Sequence, residues 1–413
     1  MKHIATVVIG AGHCGLAMSK HLLDRGIDHV VLDRGKVANS WRTQRWDSLR
    51  LLTPNWQSRL PGHAYAGPDP DGYMTAPELT GYLQSYSDRI GAPVETDTTV
   101  LRVSARSGGY RVDTDRGSWM CRTVVVASGI CAMPVVPTLS NGAPADIECL
   151  EPFAYRNPRQ LRPGGVMIVG ASATGVQLAR EIRASGRDVL LCVGEHVRLP
   201  RLYRGRDINW WMDAMGLMDV RHDEIPDLER ARRLPTAQLI GTPEHETIDL
   251  NTLRDAGVEI VGRLVALDGG EAKFSGGLAN HCALADLKMN RLLDSIDAWV
   301  AASGHDHGFG PPRRFEPTRL DRTPRLGLDL RHGRIETIIW ATGFRPDYSW
   351  LDVPVLDRKG RMRHSGGIVA SPGMYVMGLR FMRRRKSSFI DGAAADARDL
   401  ADHMLSFLAR AAA

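Results

Sequence analysis

The sequence lacks several features that would assign it to common protein classes. Its 413 residues include only six cysteines, and no two of them have the C-x-x-C or C-x-x-x-x-C spacing of a redox-active pair. This absence argues against a protein that reduces disulfides, and zinc-type ligand spacing is missing as well. The net charge is only +6 over the whole chain, so we expect no nucleic-acid partner.

Long apolar runs are also absent. No apolar stretch is long enough to span a bilayer, and the chain enters its first predicted strand without the apolar region of a signal peptide. We therefore expect a cytoplasmic protein without stable membrane insertion. Hydrophobic residues make up 43% of the chain, as in a globular protein. His305 and His307 are close in sequence, but the pattern around them is typical of a loop, and we predict no metal site.

The chain does carry two glycine-rich strings, each in the setting of a dinucleotide-binding unit. The first has the pattern G-x-G-x-x-G at Gly10, Gly12 and Gly15, between the apolar run 4–9 and a helical pattern. The next predicted strand ends at Asp33. This order predicts a βαβ unit in which helix N–H groups meet a pyrophosphate and the acid accepts a hydrogen bond from a ribose hydroxyl.

The second string is looser than the first. Ser172 stands at the middle glycine position between Gly170 and Gly175, and apolar strands are predicted on both sides of the helix that follows. Serine is small enough to let a pyrophosphate approach the backbone. Two such units predict a protein that holds two dinucleotides at once.

Two predicted strands end in a similar way. Residues 124–129 and 338–343 both finish with two small residues and a glycine, Gly129 and Gly343, and a stretch with proline follows each. In a nested protein these would be the outbound and return crossings, with small residues lying against a cofactor. We therefore predict an α/β fold of two nested Rossmann-like dinucleotide-binding domains.

Further motifs occur in a specific order along the chain. They are Ser40-Trp41-Arg42, residues 46–54, Ala127-Ser128-Gly129, residues 155–158 and Ala341-Thr342-Gly343-Phe344. With the two fingerprints, they resemble the class B flavin-dependent monooxygenases: the flavin-containing monooxygenases, with YUCCA-type and Baeyer–Villiger enzymes as relatives. The resemblance covers nearly the whole chain and is weakest at 205–320.

The resemblance implies a domain organisation and a reaction. Residues 1–155 and 325–413 would form a discontinuous FAD-binding domain, and residues 156–324 an inserted NAD(P)H-binding domain with elements of the substrate pocket. NADPH, or alternatively NADH, would reduce the bound FAD. Dioxygen would then react with the reduced flavin, and one oxygen atom would reach a nitrogen, sulfur or carbonyl centre. The protein would orient the reactants and exclude water.

The resemblance also implies roles for single residues. Gly10, Gly12, Gly15 and Asp33 would hold the ADP half of FAD, and Gly170, Ser172 and Gly175 the pyrophosphate of NAD(P)H. Trp41 and Arg42 match a segment along the flavin's pyrophosphate and ribityl chain, with core packing as the less favoured alternative for Trp41. Trp46 and Asp47 lie near the flavin in relatives and are candidate catalytic residues. Asp391 precedes a helix that would point its N-terminus at the flavin ring, with a plain N-cap as the alternative.

Two departures from the family pattern affect the oxygen-transfer half of the reaction. The family has an asparagine directly after the threonine at 53, whereas here Pro54 follows and Asn55 comes one residue later. Asn55 is therefore the candidate for the asparagine that contacts the flavin. Glu151 stands where the family has a histidine four residues before the aromatic Tyr155, which makes a Baeyer–Villiger activity less expected.

The turn after the second βαβ strand bears on nicotinamide preference. Relatives that use NADPH have Arg or Lys there to meet the 2′-phosphate. Glu195 would suit a free 2′-hydroxyl, whereas Arg198 and Arg201 could reach a phosphate. On this basis we favour NADPH, with Arg198 as its candidate ligand.

Two other patterns have open interpretations. The basic run 380–386 either docks a phosphate or anionic partner or is a solvated loop. Trp210 and Trp211 either line a substrate pocket or pack against a neighbouring domain.

The leading hypothesis is an FAD- and NAD(P)H-dependent monooxygenase that acts on nitrogen or sulfur in a small molecule, with that substrate and O2 as its partners. One alternative is an NAD(P)H-dependent flavin reductase or oxidase that produces hydrogen peroxide. Another is a non-catalytic dinucleotide-binding redox regulator.

Overall fold

The computed structural model describes residues 1–304 and 308–410. His305 and His307 lie outside the described residues. Within the described ranges, no helix is long and apolar enough to cross a membrane.

Most strands are short, and the longest belong to the two predicted βαβ regions and the strands beside them. In chain order the strands are β1 Lys2–Ile9, β2 His29–Leu32, β3 Arg59–Leu60, β4 His63–Ala64, β5 Val94–Glu95, β6 Val100–Arg106, β7 Gly109–Thr114, β8 Gly117–Val126, β9 Met133–Pro134, β10 Glu148–Leu150, β11 Gly165–Val169, β12 Val189–Val193, β13 Leu202–Tyr203, β14 Arg206–Asp207, β15 Glu259–Gly262, β16 Leu264–Asp268, β17 Glu271–Phe274, β18 Gly327–Asp329, β19 Ile335–Trp340, β20 Phe344–Arg345, β21 Leu351–Asp352, β22 His364–Ser365, β23 Ile368–Val369 and β24 Met374–Val376.

The α-helices vary more in length than the strands. They are α1 His13–Asp24, α2 Asn39–Thr43, α3 Ala76–Ile90, α4 Ala173–Ala184, α5 Ile208–Ala214, α6 Leu228–Arg233, α7 Leu250–Asp255, α8 Leu278–Ser303 and α9 Ile390–Arg410.

The first sheet contains the first fingerprint. Its strand order is β21-β6-β7-β8-β1-β2-β5, and β1 runs parallel to both β2 and β8. Strand β24 also runs parallel to β8. Val7 and Val8 of β1 are fully buried, as expected for a parallel strand with both faces covered. Helices α1 and α9 pack against each other beside this sheet.

The second sheet contains the second fingerprint and is entirely parallel. Its order is β10-β19-β11-β12-β15. The predicted boundaries at 155 and 325 would put β10 and β19 in the first domain, whereas their backbone hydrogen bonds belong to this second sheet. The reason is that β19 is an internal strand beside β11, so the chain returns to the first unit only after β19. The division into domains is otherwise a prediction.

The two crossing segments meet. Strand β9 pairs with β20 in antiparallel fashion, Met133 opposite Arg345 and Pro134 opposite Phe344. The N–H of Val135 also donates to the carbonyl oxygen of Gly343 at 2.9 Å. The chain therefore leaves and re-enters the first unit through one two-stranded ribbon.

The least family-like part of the chain builds a separate small core. Trp211 is fully buried and packs with Leu293 and Ile296 of α8 and with Tyr203, whose carbonyl oxygen accepts its indole N–H at 2.8 Å. Trp210 makes an edge contact with Trp211 at 4.9 Å between centroids. Trp211 therefore packs into a core of its own region, which is neither of the two interpretations that the sequence left open.

Candidate functional site

The first fingerprint leaves one of its glycines open to a ligand. Gly10 has φ +108°, and a Cβ there would overlap the carbonyl oxygen of Ala127 in the strand-end segment after β8. A Cβ on Gly15 would overlap the carbonyl oxygen of Gly10. At Gly12, in contrast, no atom of the described residues lies within 4 Å of a Cβ position. Gly10 and Gly15 are thus required by packing, and Gly12 borders space that a pyrophosphate could enter.

Asp33 is held next to this loop. Its carboxylate accepts the N–H groups of Ala11 at 2.7 Å and Gly35 at 3.0 Å. Burial raises the pKa of Asp33 above its usual range, although both hydrogen bonds oppose the shift. The carboxylate lies at the end of β2 with lone pairs to spare, which is the position that a ribose hydroxyl requires.

The second fingerprint has nearly the same packing. Gly170 has φ +110°, and a Cβ there would overlap the carbonyl oxygen of Ala341, while a Cβ on Gly175 would overlap that of Gly170. Ser172 lies just before α4, and within the described chain its side chain makes no hydrogen bond to the first turn. The N–H groups at the start of α4 are therefore available to an anion.

The two strand ends beside the fingerprints also correspond. Gly129 has φ +82° and Gly343 has φ +100°, a conformation that favours glycine. Around both, the described atoms leave a sphere of 4 Å about a Cβ position empty. Each dinucleotide loop therefore has an open strand end beside it. This strand end contains Ala127 and Gly129 in the first unit, and Ala341 and Gly343 in the second.

Trp41 and Arg42 lie on the short helix α2. Trp41 packs against the hydrophobic cores of both sheets. The guanidinium of Arg42 donates to the carbonyl oxygen of Val37 at 2.9 Å and to Gln84 at 3.2 Å. Trp41 thus bridges the two units, and Arg42 is bonded within the first.

Trp46 and Asp47 are engaged in contacts within the protein, and their catalytic role stays a prediction. Trp46 is only 6% exposed and belongs to the hydrophobic core of the second sheet, with Tyr155. Asp47 accepts a hydrogen bond from the side-chain amide of Asn157 at 2.7 Å, and its N–H donates to the carbonyl oxygen of Arg156. These contacts attach the linker at 155–158 to the first unit.

Asn55 is likewise occupied by the backbone. Its amide nitrogen donates to the carbonyl oxygen of Asp69 at 2.9 Å, and its amide oxygen accepts the N–H of Met74 at 2.8 Å. The side chain is 4% exposed. Asn55 therefore closes the loop 69–74, and its assignment as the family's flavin-contacting asparagine stays a prediction that these bonds do not favour.

Arg198 is not available to a 2′-phosphate. The residue is 4% exposed, and its guanidinium forms ion pairs of 2.6 Å with both Asp249 and Asp286. It also donates to the carbonyl oxygen of Glu316 at 2.9 Å. Arg201 is 1% exposed and paired with Asp207 at 3.0 Å. The cofactor role of Arg198 stays a prediction that these contacts do not favour, because a buried guanidinium takes carboxylate partners from its own fold.

Sequence reasoning assigned no role to a residue that lies beside the turn after β12. Lys288, on α8, places its ammonium 3.5 Å from the exposed carboxylate of Glu195. The neighbouring His196 is buried, bonds the carbonyl oxygen of Gly194 through Nδ1, and has its pKa lowered by burial. Lys288 was noticeable only as a charged residue in a helical pattern, far from Glu195 in the chain.

Asp391 is part of an ion-pair cluster at the start of α9. Its carboxylate accepts from Arg59 at 2.6 Å and from Lys386 at 3.0 Å. Lys386 also pairs with Asp219 at 3.0 Å. Both carboxylate oxygens of Asp391 thus face cations of the protein, which supports a structural role in place of the predicted cofactor contact.

The basic run 380–386 joins the first unit to the segment 217–222. Arg384 pairs with Asp396 at 2.6 Å and Asp399 at 2.9 Å. The N–H of Arg385 donates to the carbonyl oxygen of Val220, and that of Lys386 to Met218. We call this contact between 380–386 and 217–222 the basic clamp. The clamp argues against a purely solvated loop, and the docking of a phosphate or anionic partner stays a prediction.

Comparisons with known proteins agree with this geometry. A family model described as pyridine nucleotide-disulphide oxidoreductase matches residues 7–204. The indole-3-pyruvate monooxygenase YUCCA8 of Oryza sativa subsp. japonica is 31% identical over 380 residues, which cover 87% of this chain and 81% of that protein. The chain belongs to the class B flavin-dependent monooxygenase family. It is a flavin-dependent oxidoreductase.

Two further likenesses extend over nearly the full length of this family member. An uncharacterized CzcO-like oxidoreductase of Geobacillus kaustophilus is 29% identical over 410 residues, 98% of this chain and all of that protein. A solved flavin-containing monooxygenase from Stenotrophomonas maltophilia is 20% identical with a TM-score of 0.67, and 99% of this chain and 100% of that chain are covered. The latter shows that the two share a fold.

Proposed function

We propose that the protein is an FAD-dependent, NAD(P)H-consuming monooxygenase that inserts one oxygen atom from O2 into a nitrogen or sulfur centre of a small molecule. The observation that carries this proposal is the matched pair of fingerprint loops joined by the β9–β20 ribbon. Each loop has an open strand end beside it, at Gly129 and Gly343, and the ribbon holds these strand ends together. Two dinucleotides bound there would approach one another.

The residues present fit both cofactors. Gly10, Gly12, Gly15 and Asp33 would hold the ADP half of FAD, and Gly170, Ser172 and Gly175 the pyrophosphate of the nicotinamide dinucleotide. When bound, FAD would supply the hydride acceptance and the electron transfer to dioxygen. The chain would bind the phosphates at the starts of α1 and α4, orient the two rings and exclude water between the units.

NADPH is our proposed electron donor, on the strength of the family alone. Since Arg198 is buried in its own ion pairs, a 2′-phosphate would instead meet Lys288, after that ammonium leaves Glu195. A 2′-hydroxyl would not require Lys288 to leave, because the carboxylate of Glu195 could accept a hydrogen bond from that hydroxyl directly. NADH is therefore expected to serve as well.

A second candidate is an NAD(P)H oxidase that releases hydrogen peroxide. It is favoured by Asn55, whose amide oxygen and nitrogen are both taken by the backbone at 69–74. The electron-input half of the reaction would be unaffected by this difference.

A single reoxidation experiment separates the candidates. The purified holoprotein is reduced with NADPH without oxygen, then mixed with aerated buffer while the absorbance spectrum is followed. We expect bleaching of the flavin, followed by a long-lived spectrum distinct from the oxidised and reduced forms, which a nucleophilic amine or thioether shortens. Immediate return of the oxidised spectrum with one equivalent of hydrogen peroxide supports the oxidase. Absence of bleaching contradicts both.

A further inference from the structure

Gln238 is a buried residue with one half of its side-chain amide unsatisfied. It is 1% exposed, and its amide nitrogen donates to the carbonyl oxygen of Ala171 in the second fingerprint at 2.8 Å. Within residues 1–304 and 308–410, its amide oxygen accepts no hydrogen bond. The reverse orientation of the amide would set two oxygens against each other, so the oxygen is the atom without a partner.

Gln238 lies at the edge of the second sheet where a dinucleotide is expected. Ala171 follows β11, and the N–H of Gln238 donates to the carbonyl oxygen of Val197, in the loop after β12, at 2.8 Å. Strands β11 and β12 are parallel, so both loops leave the sheet at its carboxyl edge. Dinucleotides bind in the crevice outside this edge. Gln238 thus connects two of the loops that border the crevice.

The segment around Gln238 also lies against the first unit. Before it in the chain, the carbonyl oxygen of Leu234 accepts a hydrogen bond from Arg380 at 2.9 Å. After it, Gly241 packs so closely on the first unit that a Cβ there would lie 2.3 Å from the carbonyl oxygen of Leu51. Gln238 is therefore at the boundary between the two units, with its amide nitrogen bonded to the second fingerprint.

This boundary favours one half of the nicotinamide dinucleotide. The ribose of the adenosine half is expected at the end of β12, on the side of Glu195 and Lys288. The nicotinamide half has to reach the flavin of the first unit, since hydride passes between the two rings. It carries N–H donors in its carboxamide and O–H donors in its ribose, and an amide oxygen accepts from either.

A buried acceptor without a partner is unfavourable, because it has lost its hydrogen bond to water. A donor on a bound molecule would restore that bond. We propose that Gln238 is an NAD(P)H-binding residue whose amide oxygen accepts a hydrogen bond from the nicotinamide half. This inference rests on the proposed NAD(P)H-dependent function and adds to that site a residue outside both fingerprints.

The test measures binding to the oxidised holoprotein without turnover. NADP⁺ and NAD⁺ are titrated by calorimetry beside 2′,5′-ADP and ADP, which contain only the adenosine half. Gln238→Met has a side chain of similar size without an acceptor. We expect it to weaken binding of the preferred dinucleotide by about tenfold, the size of one hydrogen bond. Binding of the matching adenosine fragment should stay unchanged.

Analogues with 3-acetylpyridine in place of nicotinamide identify the donor, because their methyl ketone lacks the N–H groups of the carboxamide. If the carboxamide donates, the analogue should bind the parent protein and Gln238→Met equally. If a ribose hydroxyl donates, the variant should still bind the analogue about tenfold more weakly than the parent does. Either result supports the contact, provided that the variant has lost affinity for the natural dinucleotide.

Gln84→Met is the matched control. Gln84 lies on α3 of the first unit, where its amide oxygen accepts from Arg42 at 3.2 Å and its amide nitrogen donates to Asp88 at 3.0 Å. The same substitution there removes an amide whose two halves both have partners. It should leave the affinities for dinucleotide and fragment unchanged.

Gln238→Glu covers the case in which Gln238→Met does not fold, as judged by FAD content and melting temperature. A protonated carboxyl can donate to Ala171 and accept from the ligand, as the amide does. The affinity of Gln238→Glu for the dinucleotide relative to the fragment should therefore recover as the pH is lowered. A ratio that stays at the parent value at every pH would contradict the contact.

Three results would overturn the proposal. The first is an unchanged dinucleotide affinity in Gln238→Met. The second is an equal loss for dinucleotide and adenosine fragment, which would assign Gln238 to the shape of the fingerprint loop alone. The third is a parent protein that binds neither NADP⁺ nor NAD⁺.

The proposed function can fail independently of this contact. Since no turnover is measured, an affinity that depends on Gln238 in a protein that transfers no oxygen would remove the monooxygenase proposal and leave the binding residue. Flavin reduction by NADPH with no effect of Gln238→Met would remove only the role of Gln238.

Discussion

In both fingerprint units, the last glycine packs against the carbonyl oxygen of the first, and the first packs against the alanine that ends the neighbouring strand. The units differ at the ribose end. Asp33 is fixed by two backbone N–H groups, whereas Glu195 is exposed and faces Lys288. Packing thus dictates the loop in both units, while the ribose end is built by separate contacts and is free to differ.

The largest effect should come from placing a Cβ on the last glycine of each fingerprint, Gly15 and Gly175. Gly15→Ala should force α1 away from β1 and cost FAD binding and stability. Gly175→Ala should leave FAD bound but slow anaerobic reduction by NADPH by roughly fivefold to a hundredfold, since overpacking costs roughly 1–3 kcal/mol. Flavin content, melting temperature and stopped-flow reduction are the measurements.

Gly81→Ala is the control for these variants, because Gly81 lies exposed on α3 and the described atoms leave room for its Cβ. It should leave FAD binding and flavin reduction unchanged and should raise stability by at most about 1 kcal/mol, because alanine favours a helix more than glycine does. Equal loss of FAD in Gly15→Ala and Gly175→Ala would show that the two loops do not act on separate cofactors.

A buried ion-pair network in the second unit provides the next contrast. Arg198→Met should lower the free energy of unfolding by about 3–5 kcal/mol, because Asp249 and Asp286 are left buried without their cation. Urea denaturation measures this loss. Arg180→Met breaks the more exposed pair with Glu246 and should cost about 1 kcal/mol or less. A raised KM for NADPH in Arg198→Met with unchanged stability would restore the cofactor role of Arg198.

The residue after the middle fingerprint position should give the two units a different pH dependence of stability. His13 occupies it in the first unit and Ala173 in the second. Burial lowers the pKa of His13 to about 4, below the value near 6.5 of an unfolded histidine. The folded protein therefore binds fewer protons than the unfolded chain between these values, and the stability due to neutral His13 is present above pH 6.5 and lost as pH falls towards 4.

His13→Ala should remove this loss. Between pH 7.5 and 5, the free energy of unfolding of the variant should fall by roughly 1–3 kcal/mol less than that of the parent protein, with both proteins flavin-free. Urea unfolding at the two pH values measures it. Parallel pH profiles of the two proteins would show that His13 is not buried in solution.

The smallest effect concerns nicotinamide preference. Glu195→Gln should free Lys288 from its ion pair and remove repulsion of a 2′-phosphate. We expect the ratio of kcat/KM for NADPH over NADH to rise by a few-fold, as befits one exposed charge. Asp33→Asn, in the first unit, should leave this ratio unchanged. An unaltered ratio in Glu195→Gln would place the 2′ end of the ribose elsewhere.

The fingerprint glycines were predictable because their constraints are local. Gly10 and Gly15 contact atoms within one βαβ unit or the strand beside it, and the sequence pattern records that packing directly. The similar strand ends at 124–129 and 338–343 predicted the crossing segments, and the resemblance predicted the family that the relatives support.

The contacts that the sequence did not predict join residues that are distant in the chain. Arg198 meets aspartates 51 and 88 residues away, and no local pattern reveals that they are buried together. Trp46 fills the core of the second sheet although its chain neighbours belong to the first unit. Asn55 resembles a family asparagine in position, yet its bonds go to residues 14 and 19 positions later.

The β9–β20 ribbon has a consequence for how such chains are assembled and recombined. Because Pro134 and Phe344 are paired, the two ends of the intervening segment emerge side by side. A segment with adjacent ends can be exchanged as a cassette without stretching its host. In this chain the exchanged segment must also contain a match for residues 217–222 of the basic clamp. Otherwise Lys386 and Arg385 lose their contacts with that segment. Compatible grafts are therefore those in which ribbon and clamp come from the same parent.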